Sequence, residues 1–213
     1  MMNGQTWTIG HFKDVPIKVH RSFSIVLVFI GYLAITRDFT LRQTFVFSLL
    51  ICVIFGCVIL HEFGHALVAK RFGVKTRDII LMPIGGVARL ESLPTEPLKE
   101  ILIALAGPAV NLVIACLIYS FFLVLGIGWL QPDTDFISIL DTGIGFLHLV
   151  LLINLASFAI NLLPILPMDG GRILRAALSI KLDRAKASYV TRIISFLLVV
   201  IVIIAYMKTK SQI

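Results

Sequence analysis

The chain has 213 residues, 58% of them hydrophobic and only 15% charged, and its mean hydropathy is +0.98. Soluble globular domains are about half apolar and about a quarter charged, so the composition excludes an ordinary soluble domain and indicates an integral membrane protein. The net charge of +7 does not call for a nucleic-acid partner, because the basic residues collect beside apolar runs, as in the cytoplasmic flanks of a multi-span protein.

Five apolar windows divide the chain. Lys13, Lys18 and Arg21 precede the first, Ser22 to Thr36. At about 15 residues it is short against the roughly 20 of a spanning helix, but Arg21 and Arg37 can snorkel from its ends. The leader before it is long and no small-residue cleavage site follows, so a retained first span is expected rather than a cleaved signal. The second window runs from Gln43 to about Lys70 and carries His61-Glu62-Phe63-Gly64-His65 in its last third. Lys70, Arg71, Lys75, Arg77, Arg89 and Lys99 follow it. Within that stretch, Ile79 to Leu90 is rich in β-branched residues and broken by Pro83 and Gly85-Gly86. It reads as two short strands and a turn, a hairpin in or against the membrane, or else as a connector loop.

The third window, Ile101 to about Gly128, is interrupted by Gly107-Pro108, where a kink is expected. The loop after it holds Asp133, Asp135 and Asp141 without Lys or Arg. The fourth, Thr142 to Met168, carries Asn154, Ser157 and Asn161 on one helical face, a water path or packing glue, and ends in a proline-rich segment. Arg172, Arg175, Lys181, Arg184, Lys186 and Arg192 separate it from the fifth, Ile193 to Met207. With the N-terminus cytoplasmic, the basic segments and both polar motifs lie toward the cytoplasm and the acidic loop outside. The three cysteines, Cys52, Cys57 and Cys116, lie in apolar runs without a Cys-x-x-Cys pair and read as reduced packing residues. The expected fold is thus an all-α polytopic membrane protein of five or six transmembrane helices, five of them evident, with a short membrane-associated β-hairpin. Residues 1–213 are expected to form a single membrane-embedded domain.

Ionisable groups at membrane depth are expensive and by default functional. His61 and His65 lie one helical turn apart on one face, so both rings can reach a single metal ion, with Glu62 beside them as a general base. Catalytic zinc sites take three protein ligands and leave one position open. Asp169 in Pro164-Ile165-Leu166-Pro167-Met168-Asp169-Gly170-Gly171 is the best third ligand, because prolines there enforce irregular backbone of the kind that lines a cavity. The alternative is an interfacial turn. Asn111 is suited to donate to a substrate carbonyl or developing oxyanion, or to make an interhelical hydrogen bond. His11, His20 and His148 lie in unrelated contexts.

His61-Glu62-Phe63-Gly64-His65, Pro83-Ile84-Gly85-Gly86-Val87, Gly107-Pro108-x-x-Asn111 and Asn161-Leu162-Leu163-Pro164-x-x-Pro167-Met168-Asp169-Gly170-Gly171-Arg172 occur in the order seen in site-2 proteases, which are intramembrane zinc metalloproteases. The resemblance runs from about Ile17 to about Ser179 and is closest to the compact prokaryotic branch. It implies one Zn²⁺ per chain on His61, His65 and Asp169, Glu62 as general base, and Asn111 positioning substrate or stabilising the oxyanion. Gly85 and Gly86 resemble strands that hold an unwound substrate by strand addition. The implied partner is a membrane-tethered regulatory protein, cleaved within or near its transmembrane segment in the bilayer. The acidic loop is too short for the PDZ domain of many relatives, and no CBS domain follows the last window. A divalent-metal transporter or metal sensor is the rival reading; it finds no internal repeat and no second metal site along the chain.

Overall fold

The computed structural model describes residues 5–12, 15–92, 94–130 and 136–210. Two N-terminal strands, β1 (Thr6–Phe12) and β2 (Val15–His20), lead through a 3-10 turn at Arg21–Phe23 into α1 (Ser24–Thr36) and the 31-residue α2 (Leu41–Arg71). Strands β3 (Thr76–Met82) and β4 (Gly85–Leu90) precede α3 (Pro97–Leu125). The short α4 (Phe136–Leu140), α5 (Gly143–Asn161), α6 (Asp169–Leu178) and α7 (Arg184–Lys210) complete the order.

Local chemistry sets the helix limits. Thr40 Oγ1 accepts from Gln43 N–H while the Gln43 side chain accepts from Thr40 N–H, a reciprocal cap that starts α2. Pro97 opens α3, where its missing N–H loses nothing, and Gly126 closes it in the left-handed conformation at φ 65°. The Thr142 hydroxyl accepts from Gly145 N–H at the start of α5.

Four helices, α2, α3, α5 and α7, are long and apolar enough to cross a bilayer. With 13 residues, α1 is shorter than that. Large apolar side chains such as Leu27, Val28, Val124 and Val202 point outward, while polar and small residues turn inward. That inversion is expected where lipid is the solvent. The helices meet through three apolar clusters. Phe47, Leu50, Leu140 and Val150 join α2, α4 and α5. Ala115, Phe122 and Leu151 join α3 to α5, and Ala69, Val74 and Ile103 join the end of α2 to α3.

The expected helical membrane architecture is present, and the foreseen hairpin proves to be half of a four-stranded sheet in the order β1-β2-β3-β4. β1 and β2 pair antiparallel, and so do β3 and β4. β2 and β3 pair parallel through Ile17–Ile79, Lys18–Ile80 and Val19–Leu81. Parallel strands need a long crossover, here α1 and α2 together. Helix α3 continues through Pro108 without ending. The fourth window stops being helical at Asn161, and the amphipathic α6 begins at Asp169. Asp133 and Asp135 lie outside the described residues.

Candidate active site

At a rise of 1.5 Å per residue, His61 stands about 30 Å along α2 from Leu41, near the end where the chain turns into the sheet. His61, Glu62 and His65 are all buried, as is Asp169 at the first turn of α6. His61 Nε2 and His65 Nε2 are 3.1 Å apart, and each is 3.2 Å from Asp169 Oδ2. The two motifs, distant in sequence, therefore meet as one triangle.

The ring hydrogens identify what the triangle can do. His61 Nδ1–H donates to Asn111 Oδ1 at 2.8 Å, and His65 Nδ1–H donates to the carbonyl of Ile103 at 2.7 Å. Neutral imidazoles so engaged present lone pairs at Nε2. Two lone pairs and a carboxylate oxygen in mutual contact repel one another and call for a cation. Zinc suits the donor set: with ligands at about 2.0–2.2 Å in tetrahedral geometry, ligand atoms stand roughly 3.3 Å apart. Asp169 Oδ1 faces the other way and accepts from Arg172 Nη1 at 3.2 Å, which leaves Oδ2 for the ion. His61, His65 and Asp169 are the group among the described residues with metal-binding geometry.

Close packing of α3 makes room for the triangle. A Cβ on Gly107 would stand 2.6 Å from His61 Nε2 and nearer still to His65 Nε2. Only hydrogen fits there. At the other side, α6 is anchored through buried Glu100 of α3, which pairs with Arg175 of α6 and, at 2.9 Å, with Arg184 at the start of α7. The Leu166 N–H, in the irregular segment before Asp169, donates to Ser195 Oγ of α7.

Glu62 faces the sheet. Its Oε2 accepts from the backbone N–H of Ala88 at 2.7 Å. A Cβ on Gly86 would meet Glu62 Cγ at 2.8 Å and Val58 Cγ1 at 2.9 Å, so β4 lies directly against the carboxylate. Gly85 ends the Pro83–Ile84 turn at φ 146°, a conformation that side-chain-bearing residues avoid. Behind β4, Asp78 is wholly buried and takes Arg89 through both carboxylate oxygens, and Lys18 at 2.8 Å. The paired guanidinium, then the Lys18 ammonium, hold the Asp78 carboxyl below its usual range against the opposing effect of burial.

Compared with known sequences, residues 49–138 and 138–205 match peptidase family M50. The chain belongs to that family. A zinc metalloprotease of Methanocaldococcus jannaschii is 37% identical over 184 residues, which is 85% of this chain and 49% of that protein. Stage IV sporulation protein FB of Bacillus subtilis is 31% identical over 144 residues, 65% of this chain and 43% of that protein. The chain thus spans about half the length of these curated relatives. Among solved structures, the site-2 protease from M. jannaschii superimposes with a TM-score of 0.67 at 32% identity, covering 96% of this chain and 86% of that one.

Within this M50 frame, His61, Glu62, His65 and Asp169 come together, and Gly86 joins them beside Glu62. Asn111 makes the interhelical hydrogen bond that was the second of its two expected roles, with its amide oxygen on His61. The remaining polar candidates lie apart. Asn154 bonds to the Val150 carbonyl and Cys57 Sγ, as packing glue would. His148 spans the carbonyls of Ile144 and Gly128 against the Phe122 ring. His20 bonds to Ser22 and Gln5 near the start of α1. Sequence reading missed the Ile103 carbonyl and the Ala88 amide, which are backbone groups without a side-chain signature. It also missed Glu100, whose one available signal was a lone acid at the head of an apolar run.

Proposed function

We propose that this protein is an intramembrane zinc metalloprotease that hydrolyses a peptide bond within or near a transmembrane segment of a membrane-tethered regulatory protein. The observation that carries the reading is a carboxylate, Glu62, fixed by the Ala88 N–H beside a three-ligand cluster suited to zinc. His61, His65 and Asp169 hold the ion, which when bound supplies Lewis acidity to an attacking water and to the scissile carbonyl. Glu62 accepts the water proton as attack begins and returns it to the leaving amine. Asn111 and the Ile103 carbonyl fix the two imidazoles, and Arg172 fixes the carboxylate of Asp169.

A helical substrate hides its peptide groups in internal hydrogen bonds, so it must unwind before cleavage. The Gly85–Leu90 strand ends the sheet and offers an unwound segment new partners by strand addition. The basic residues Lys70, Arg71, Lys75 and Arg77 follow the site along the chain, which supports a position toward the cytoplasmic face of the cell membrane.

Glu62→Gln tests the reading. A reconstituted transmembrane peptide with a central Gly-Pro break and a fluorophore–quencher pair serves as substrate. Wild type should cleave it, and the variant should lose turnover while keeping its zinc and its thermal midpoint. Continued turnover by Glu62→Gln would remove the carboxylate from the chemistry.

A further inference from the structure

An antiparallel strand alternates: the N–H and C=O of one residue face one neighbour, and those of the next residue face the other way. On β4 the Ala88 N–H leaves the sheet to reach Glu62, so Gly86 and Ala88 present their peptide groups to the free edge and Val87 presents its own to Ile80 of β3. The edge that would receive a substrate strand is therefore partly occupied before any substrate arrives. Its Ala88 donor belongs to Glu62.

We propose that the Ala88 amide is a positioning group for Glu62, and that its engagement sets the register in which β4 reads an extended substrate. This inference rests on the protease reading above. The substrate pairs with Gly86 and with the Ala88 carbonyl. The substrate carbonyl that would otherwise bond to Ala88 N–H finds that donor taken, lies beside Glu62, and is the one left free for attack. Two further observations support a fixed rather than adaptable arrangement. The residue after Ala88 is Arg89, whose guanidinium grips both oxygens of fully buried Asp78, which Lys18 of β2 grips as well. The residue two before it is Gly86, where a side chain would stand 3.1 Å from Glu62 Oε1. The carboxylate is thus bonded at one oxygen and packed at the other by the same strand.

Because the Ala88 N–H points away from β3, proline at this position deletes no ladder bond, and edge strands accept proline under that condition. Ala88→Pro removes the donor, while Ala88→Gly keeps it. Kinetics on the Gly-Pro transmembrane peptide should show kcat of Ala88→Pro reduced by roughly ten- to a hundredfold, the effect of losing a hydrogen bond to a charged group. KM should stay within about threefold, and Ala88→Gly should keep at least about ten times the kcat of Ala88→Pro. A raised KM with kcat preserved would mean that the Ala88 N–H binds substrate, and would overturn the proposal; so would unchanged kinetics. A second measurement needs neither activity nor a variant in the strand. In Glu62→Ala, amide hydrogen exchange across residues 86–90 should accelerate by about tenfold or more at Ala88. Unchanged exchange there overturns the proposal even if Ala88→Pro fails to fold. Should wild type leave the peptide intact, or Glu62→Gln cleave it, the protease reading fails while the exchange result still decides whether Ala88 holds Glu62.

Discussion

Gly107→Ala offers the sharpest test of the metal cluster, because a single methyl group enters the space between both imidazole ligands. Its Cβ would stand 2.6 Å from His61 Nε2 and closer to His65 Nε2. Carbon reaches comfortable contact at about 3.5 Å, so the His61 ring must retreat by about 0.9 Å and the His65 ring by more. Neither ring is free to do so, since their opposite nitrogens are bonded to Asn111 and to the Ile103 carbonyl of the same helix that carries the methyl. Zinc ligand distances tolerate only about 0.2 Å. Disturbing groups that merely orient such ligands weakens metal binding by about 10–100-fold, and displacing two ligands directly should do at least as much. Competition against a chromophoric chelator in detergent measures the affinity. Gly56→Ala on α2 is the control, since nothing lies within 4 Å of its added methyl, and it should bind zinc as wild type does. If Gly107→Ala held zinc within about threefold of wild type, the triangle of His61, His65 and Asp169 would not be the metal site.

Asp78→Asn should destabilise the protein by about 1–3 kcal/mol in thermal denaturation, less than the roughly 3–5 kcal/mol of breaking a fully buried pair, because Lys18 and Arg89 are 23% and 27% exposed and can turn to water. The Asp78 carboxyl is depressed in the folded state, so its stabilisation is complete above the unfolded value of about 4 and disappears as pH falls through the folded value. Wild type should lose midpoint below about pH 4 and Asp78→Asn should show less of that loss; parallel curves would refute it. Arg172→Ala frees Asp169 Oδ1 and should weaken zinc binding by about tenfold in chelator competition, with Arg172→Lys in between. Stripping the metal should accelerate hydrogen exchange in residues 170–178 of α6 more than in α2 or α3, since α6 contributes a single ligand and the α2–α3 pair retains both imidazole bonds. Equal acceleration in all three would contradict that division.

Apolar windows located the long helices because a lipid-facing segment writes its length directly into the sequence. The His61–His65 spacing and the Asp169 turn could be read because they place charged groups where lipid tolerates few. The β3–β4 hairpin was legible from local punctuation at Pro83 and Gly85-Gly86. β1 and β2 were not. Their residues alternate, but β2 gains its place in the sheet only by pairing with Ile79–Leu81 across two intervening helices, and no local pattern records so distant a partner. α6 escaped for a related reason: two glycines at its start argue against a helix, while the contacts that hold it are distant in sequence, Arg175 pairing with Glu100 and Gly170 leaving room for the Leu162 and Leu163 carbonyls. Asn111 shows the limit for side chains. Its placement inside the membrane announced a polar task, but whether it faced a substrate or a histidine depended on the register of α3 against α2.

Adjacent residues of α2 answer to different parts of the protein. His61 is tied to α3 through Asn111, and Glu62 to the sheet through Ala88. A displacement of the sheet relative to α3 would therefore bear on Glu62 directly through Ala88, and on the imidazoles only through α2. The Lys18–Asp78–Arg89 cluster ties β2, β3 and β4 together. On the proposed protease reading, a substrate that unwinds onto β4 would act first on Glu62, through the Ala88 hydrogen bond, and a substrate that remains helical would make no such contact. Selection for unwound segments would then follow from where Glu62 is anchored, without any pocket for a particular side chain.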